Sequence, residues 1–145
     1  MSIQKYIVIV DKDGTISWYQ NGKRHRLDGP AVELVNGYKA WYQNDKYHRL
    51  DGPAVEYSNG DKEWYQNGQF HRLDGPAVEL VNVYKAWYQN DKYHRLDGPA
   101  VIYSNGDIEY WINGEQVKSL PLLIKEVTIS ELEKMFNCIV KVVKN

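Results

Sequence analysis

Four histidines, four arginines and four aspartates recur in a single pattern. The block His-Arg-Leu-Asp-Gly-Pro-Ala begins at His25, His48, His71 and His94, each start 23 residues after the last. Side chains of these types can ligate metals or move protons, but their spacing argues against both uses. Two strands per unit would set neighbouring histidines roughly 10 Å apart, too far for metal–ligand bonds of about 2.1 Å to bridge. Identical copies also lack the differentiated environments that acid and base roles require. His25, His48, His71 and His94 therefore read as structural, bonded to turn backbone or stacked on an aromatic neighbour. Arg26, Arg49, Arg72 and Arg95 read as braces for turns made with Asp28, Asp51, Asp74 and Asp97, their stems packed on Tyr or Trp.

Two aromatic rows keep the same step: Trp18, Trp41, Trp64 and Trp87, and beside them Tyr19, Tyr42, Tyr65 and Tyr88. The chain holds 12 Tyr and 5 Trp but only 2 Phe. Rings with a polar handle suit a thin sheet or a binding face better than a thick core. No phosphate-cradling glycine loop, nucleophile elbow or Cys/His zinc spacing occurs. A chain of equal units offers a periodic surface and not one asymmetric pocket, so the expectation is a non-enzymatic protein with no metal or cofactor.

The elements that must position these rows are hairpins. Asn36-Gly37, Asn59-Gly60 and Asn105-Gly106, with Asp13-Gly14 as an equivalent, separate short segments of period two. Asn21-Gly22, Asn67-Gly68 and Asn113-Gly114 mark a second turn, written Asn44-Asp45 and Asn90-Asp91 in alternate copies. Asp-Gly-Pro then reverses the chain again. If Asn36-Gly37 is a two-residue loop, Glu33 pairs with Ala40, Val32 with Trp41 and Ala31 with Tyr42. One face then carries Val32, Leu34 and Trp41 as the core, and the other carries Ala31, Glu33 and Tyr42 toward solvent or a partner. On this reading Trp64→Ala costs about 3–5 kcal/mol if the ring is fully buried, and truncation of Tyr65 costs far less.

The same register puts Tyr19, Tyr42, Tyr65 and Tyr88 with Glu33, Glu56, Glu63 and Glu79, and sets Glu56 opposite Glu63 as a like-charge pair. Such a strip fits a basic or amphipathic protein partner; the competing reading is a solvated face neutralised by Lys and Arg. The Trp row is core by its pairing with Val, with a glycan platform as the rival reading. Residues 33–55 and 79–101 differ only at Gly37 and Val83, so the larger unit is a 46-residue pair. Val83 occupies a turn position that favours positive φ, and a distorted loop or another turn type is expected there.

The fold class is thus mainly all-β: an elongated antiparallel array of hairpins over 1–118, with a small α/β cap over 119–145. In that cap Ser130-Glu-Leu-Glu133 is a capping-box pattern, Leu132, Met135 and Phe136 sit at helical spacing, and Cys138 to Val143 suits a closing strand. The segment either hides the last sheet edge or carries the specific activity.

The spacing Trp-Tyr-Gln-Asn-Gly, then His after the Gly-Lys step, then a Gly-containing turn, resembles the MORN repeat over about residues 6–117. MORN repeats are also 23 residues long and form one β-hairpin per unit. They typically place Gly directly after the His, whereas Arg26, Leu27, Asp28 and Gly29 follow His25 here. The closer resemblance is to the MORN-like variant with the His-Arg-x-Asp-Gly-Pro-Ala signature, found mainly in proteins of bacteria, phages and large DNA viruses. That resemblance implies an inhibitor of the anti-defence, immunity or antitoxin type. The family's lipid role is not carried by these residues.

Charge and composition narrow the partner. A formal net charge of −1 over 145 residues offers no basic stripe for nucleic acid and no basic face for a membrane surface. The lone Cys138 excludes an internal disulfide framework. No apolar run reaches the roughly 18 residues of a membrane span, and Met1 to Val10 lacks a signal cleavage site. The expected setting is cytoplasmic, the host cytoplasm for a phage or viral source. The expected function is protein–protein interaction, with a glycan or cell-surface binder as the alternative, and sheet edges or the C-terminal segment offer routes to a homo-oligomer.

Overall fold

The structure, a computed structural model, describes residues 5–119. It holds 18 antiparallel strands and no helix among the described residues. The first unit contributes β1 (Ile7–Val10), β2 (Ile16–Gln20) and β3 (Lys23–Arg24). The next supplies β4 (Val32–Glu33), β5 (Lys39–Ala40), β6 (Tyr42–Gln43) and β7 (Lys46–Tyr47). This quartet recurs as β8 (Val55–Glu56), β9 (Lys62–Glu63), β10 (Tyr65–Gln66) and β11 (Gln69–Phe70), and as β12 (Val78–Glu79), β13 (Lys85–Ala86), β14 (Tyr88–Gln89) and β15 (Lys92–Tyr93). The series closes with β16 (Val101–Ile102), β17 (Ile108–Ile112) and β18 (Glu115–Val117). The short helix expected near 131–137 and the closing strand from Cys138 lie outside the described residues. No described helix is long and apolar enough to cross a membrane.

Each unit makes two hairpins. The first hairpins join edge to edge in the order β1-β2-β4-β5-β8-β9-β12-β13-β16-β17-β18, with β3 paired to β2. The second hairpins, β6–β7, β10–β11 and β14–β15, form a parallel row of two-stranded ladders. The two turns have exchanged the roles that the Asn-Gly signals suggest. Asn44 and Asp45 both have positive φ, 53° and 63°, and this second turn is the two-residue hairpin loop. At the first turn only Gly37 is left-handed, φ 93°, and Leu34 receives the Gly37 amide and donates to the Tyr38 carbonyl. That is a three-residue loop ending in a left-handed residue.

The extra loop residue shifts the register by one. Val32 faces Ala40 and Glu33 faces Lys39, which corrects the expected pairs Val32–Trp41 and Glu33–Ala40. A one-residue slip exchanges the faces. One face carries the row Val32, Ala40, Val55, Glu63, Val78, Ala86, Val101 and Glu109. The other alternates charge as Glu33, Lys39, Glu56, Lys62, Glu79 and Lys85 before ending in Ile102 and Ile108. The like-charge pair Glu56–Glu63 therefore does not form: Glu56 faces Lys39 and Lys62.

The core is thin and built from Ala-Val steps. Ala31, Ala54, Ala77 and Ala100 are fully buried beside Val32, Val55, Val78 and Val101. Ala31, Val32, Ala40 and Tyr42 form one cluster on which Trp18, Leu34, Tyr38 and Tyr47 pack. Ala31 and Tyr42, expected outside, are thus inside.

Val83 keeps the turn of its glycine counterparts. Its φ is +74°, and its amide still reaches the Leu80 carbonyl at 3.1 Å. The expected distortion is absent; the backbone holds and the β-branched side chain bears the strain, about 1–2 kcal/mol for an L-residue in this region. Val83→Gly is expected to raise stability by about 1 kcal/mol once the extra freedom of unfolded glycine is deducted. Gly37→Val should lower it similarly. Chemical denaturation of both variants checks the pair, and equal midpoints would refute the assignment of strain.

Candidate functional site

Each Arg of the repeated block closes its own turn. Arg26 Nε donates to Asp28 Oδ1 at 3.0 Å, and Nη1 donates to the Pro30 carbonyl at 3.1 Å and Glu33 Oε1 at 3.3 Å. Its guanidinium lies 3.9 Å over the Trp18 ring, and Arg49, Arg72 and Arg95 lie 4.0 Å over Trp41, Trp64 and Trp87. The fork also favours glycine: a Cβ on Gly29 would come within 2.8 Å of the Arg26 guanidinium carbon and push it from its acceptors. Asp28, Asp51, Asp74 and Asp97 stay open to solvent, and their Arg bonds hold the carboxyls below the usual value of 3.8.

The histidines peg one unit to the next. The Asn44 amide donates to His25 Nδ1 at 3.3 Å, and the Asn67 and Asn113 amides reach Nδ1 of His48 and His94, each at 3.1 Å. His71 Nδ1 lies 2.9 Å from Asn90 Oδ1. Among the described residues no group of three His, Cys, Asp or Glu is placed to hold a metal ion.

The tyrosines lie in a continuous ladder of rings. Tyr42, Tyr47, Tyr65, Phe70, Tyr88, Tyr93 and Trp111 follow one another at centroid distances of 4.2–5.4 Å. Arg24 occupies the first ring position and sits 5.5 Å over Tyr42. Tyr65 and Tyr88 have ring neighbours on both sides, so their faces are already covered. Tyr19, half-buried in β2, pairs with Arg24 at the start of the series.

Polar tips along the ladder follow a two-unit period. Glu63 Oε2 accepts from the Tyr57 and Tyr65 hydroxyls at 3.2 and 3.1 Å, and Glu109 Oε2 from the Trp111 indole at 2.7 Å. In the other units, Ala40 and Ala86 take those places, and the Tyr38–Tyr47 and Tyr84–Tyr93 hydroxyls meet at 3.4 and 3.5 Å. Burial foremost, then Glu63, pushes Tyr57 up to about 12, and the same two causes raise Tyr65 further. Of the acidic residues expected beside the tyrosines, only Glu63 is there. Glu33, Glu56 and Glu79 accept from Arg26, Arg49 and Arg72 at 3.3, 3.2 and 2.7 Å.

The open surface of the repeat lies between consecutive Arg-Leu-Asp-Gly turns. Three grooves of about 560, 510 and 510 Å³ repeat there with one lining. The middle one is lined by Arg49, Leu50 and Asp51 of one turn, by Arg72, Leu73 and Asp74 of the next, and by Trp64, Gln66 and His71 between them. Leu27, Leu50 and Leu73 are 54, 75 and 76% exposed, an unusual place for an apolar side chain in a tight turn. Sequence reasoning passed over these leucines; the signal was an apolar residue kept at that turn position in all four copies. It also passed over Tyr47, Phe70 and Tyr93, which complete the ladder.

No family model and no curated protein matches this chain.

Two predictions follow from the ladder. Tyr65→Ala should destabilise about as much as Trp64→Ala, roughly 2–4 kcal/mol each by loss of packed area and stacking, against the expectation that Tyr65 is peripheral. A Tyr65 effect under a third of the Trp64 effect in urea denaturation would reject the ladder as a structural element. The raised tyrosines also set an alkaline limit. An unfolded tyrosine ionises near its ordinary value of 10.0 while Tyr57 resists to about 12, so stability is complete below pH 10 and is lost as pH climbs through that interval. Urea denaturation should give a stability that falls between pH 10 and pH 12 and falls less in Tyr57→Phe protein; equal stability at pH 9 and pH 12 would contradict it.

Proposed function

We propose that this chain is a non-enzymatic protein-binding module, and that the repeated grooves hold successive parts of one partner segment. The observation that carries the reading is the groove itself: open, lined alike each time, and walled by exposed leucines next to exposed carboxylates. An apolar wall rimmed with charge is the usual composition of a protein-binding patch. Equal grooves favour a distributed interaction, in which each unit adds a weak contact and the sum is strengthened by effective concentration.

The surface differs from the one that the residue types first suggest. Tyr42, Tyr65 and Tyr88 spend their ring faces on one another's neighbours, and Glu33, Glu56 and Glu79 spend their carboxylates on arginines. Little of either set remains for a partner. A guanidinium caps one face of each of the four tryptophan rings, which leaves a glycan only the face turned into the groove, between the leucines and carboxylates. The narrower reading, an inhibitor of the anti-defence, immunity or antitoxin type acting in the cytoplasm, rests on the MORN-like resemblance and on no side chain of the groove.

The test is selection of the full chain against displayed random peptides and, in parallel, against a glycan array. Peptides whose binding is lost in the Leu50→Asp, Leu73→Asp double variant are the expected result. Retention of glycans, or of peptides indifferent to both leucines, would overturn it. Deleting Glu33 to Val78 in register removes two units; the shortened array should melt cooperatively and bind a selected peptide more than tenfold more weakly.

A further inference from the structure

The protein-binding reading leaves open what conformation the bound segment has, and the repeat constrains it. One unit advances two strands of the continuous sheet, roughly 9.6 Å. A bound chain must present equivalent residues at that interval to use all three grooves. A β-strand cannot, because its side chains return to one face every second residue, about 6.7 Å. An α-helix returns after seven residues, about 10.5 Å, and drifts about 1 Å per groove. A polyproline II helix returns every third residue, about 9.3 Å, and stays in step within about 0.3 Å per groove.

The groove chemistry agrees with that conformation. Polyproline II leaves its carbonyls without internal partners, so a receptor must supply donors. Trp41 and Gln43, Trp64 and Gln66, and Trp87 and Gln89 line the floors of the three grooves. The donors of these indole and carboxamide groups meet no acceptor among the described residues. Aromatic floors with apolar walls also suit proline rings.

Charge selects the third residue. Asp28, Asp51, Asp74 and Asp97 each give Oδ1 to an arginine Nε, which leaves Oδ2 for a ligand. Their side chains are 76 to 85% exposed, and because Arg26, Arg49 and Arg72 each also pair with a glutamate, each of those three turns keeps an excess of one negative charge. We propose that the grooves bind a proline-rich segment in the polyproline II conformation, with a lysine or arginine at every third position facing the aspartate row. Prolines between the cations lie against Leu27, Leu50 and Leu73, and the indole and carboxamide donors bond the segment's carbonyls. The inference rests on the protein-binding reading and narrows it to one class of partner.

The experiment is calorimetric titration of the full chain with the synthetic peptide (Lys-Pro-Pro)4, capped at both ends. Three controls share its format: (Lys-Pro-Pro-Pro)4 keeps the charge and breaks the period, (Lys-Gly-Gly)4 keeps both and removes the preformed helix, and (Glu-Pro-Pro)4 reverses the charge. Saturable binding of (Lys-Pro-Pro)4, at least tenfold tighter than either lysine control and absent for the glutamate peptide, is the expected result. In Asp51→Asn, Asp74→Asn protein, which keeps an oxygen acceptor for each arginine but loses the salt bridge, affinity should fall at least tenfold while the chain still melts cooperatively. Equal binding of the period-four or glycine peptide, or no saturable binding of (Lys-Pro-Pro)4, overturns the proposal. If random-peptide selection yields leucine-dependent ligands with no three-residue period, this inference fails and the protein-binding reading stands. If selection yields no such ligand, both fail.

Discussion

A guanidinium in the plane of its own turn holds each unit together. Arg49, for example, joins Asp51, the Pro53 carbonyl and Glu56 while its face rests on Trp41. Planar, forked donors make this possible; an ammonium at the same place could supply charge but neither the stacking nor the fixed geometry. Once the arginine is set, a Cβ at Gly52 would come within 2.8 Å of its guanidinium carbon and displace it, and Ala54 and Val55 enter the sheet buried after the turn. Local order of this kind matters because the core is shallow: Val55 and Val101 are the largest fully buried side chains. Hydrophobic burial in each unit is small, so directional contacts carry much of the specificity.

Packing then proceeds from unit to unit along two separate lines. On one, main-chain bonds stitch each motif to its successor, as in Trp18 N to Ala31 O at 2.8 Å and Arg26 N to Tyr42 O at 3.1 Å. On the other, the ring ladder stacks the second hairpins, which lack continuous strand pairing of their own. Main-chain bonds tie these hairpins too, as in Asp45 N to Arg24 O at 3.0 Å and Gly68 N to Tyr47 O at 2.9 Å, and aromatic stacking adds to them. The grooves are what remains between the arginine turns, and their periodicity is inherited from both lines.

The period, the antiparallel hairpins and the arginine turns were legible in the residues, because each depends on chemistry local to a few positions. Register was not. Asn-Gly appears at both turns of a unit, and that dipeptide alone does not say which turn has two loop residues. The alternate copies held the answer: Asn44-Asp45 keeps two residues that tolerate the left-handed region, whereas Asn82-Val83 keeps a residue that resists it. A turn that needs two left-handed residues accepts the first substitution and could not accept the second. Missing that distinction moved Tyr42 and Ala31 to the wrong face and invented the Glu56–Glu63 clash. The exposed leucines were overlooked for a different reason: surface function there comes from a turn, where hydrophobic periodicity gives no signal.

The alternation of Ala40, Glu63, Ala86 and Glu109 along one row has a bearing on how such a chain can lengthen. A carboxylate in one unit serves hydroxyls or an indole there, while an alanine in the next leaves room for a hydroxyl pair. Each of these sets closes within its own 23-residue unit, so a copied unit brings its polar partners with it. What a newcomer must match is the ring ladder, which crosses every boundary, as Tyr47 against Tyr65 and Phe70 against Tyr88 show. Lengthening therefore asks for one aromatic contact at each seam, and the near-identity of residues 33–55 and 79–101 shows how little else has to change.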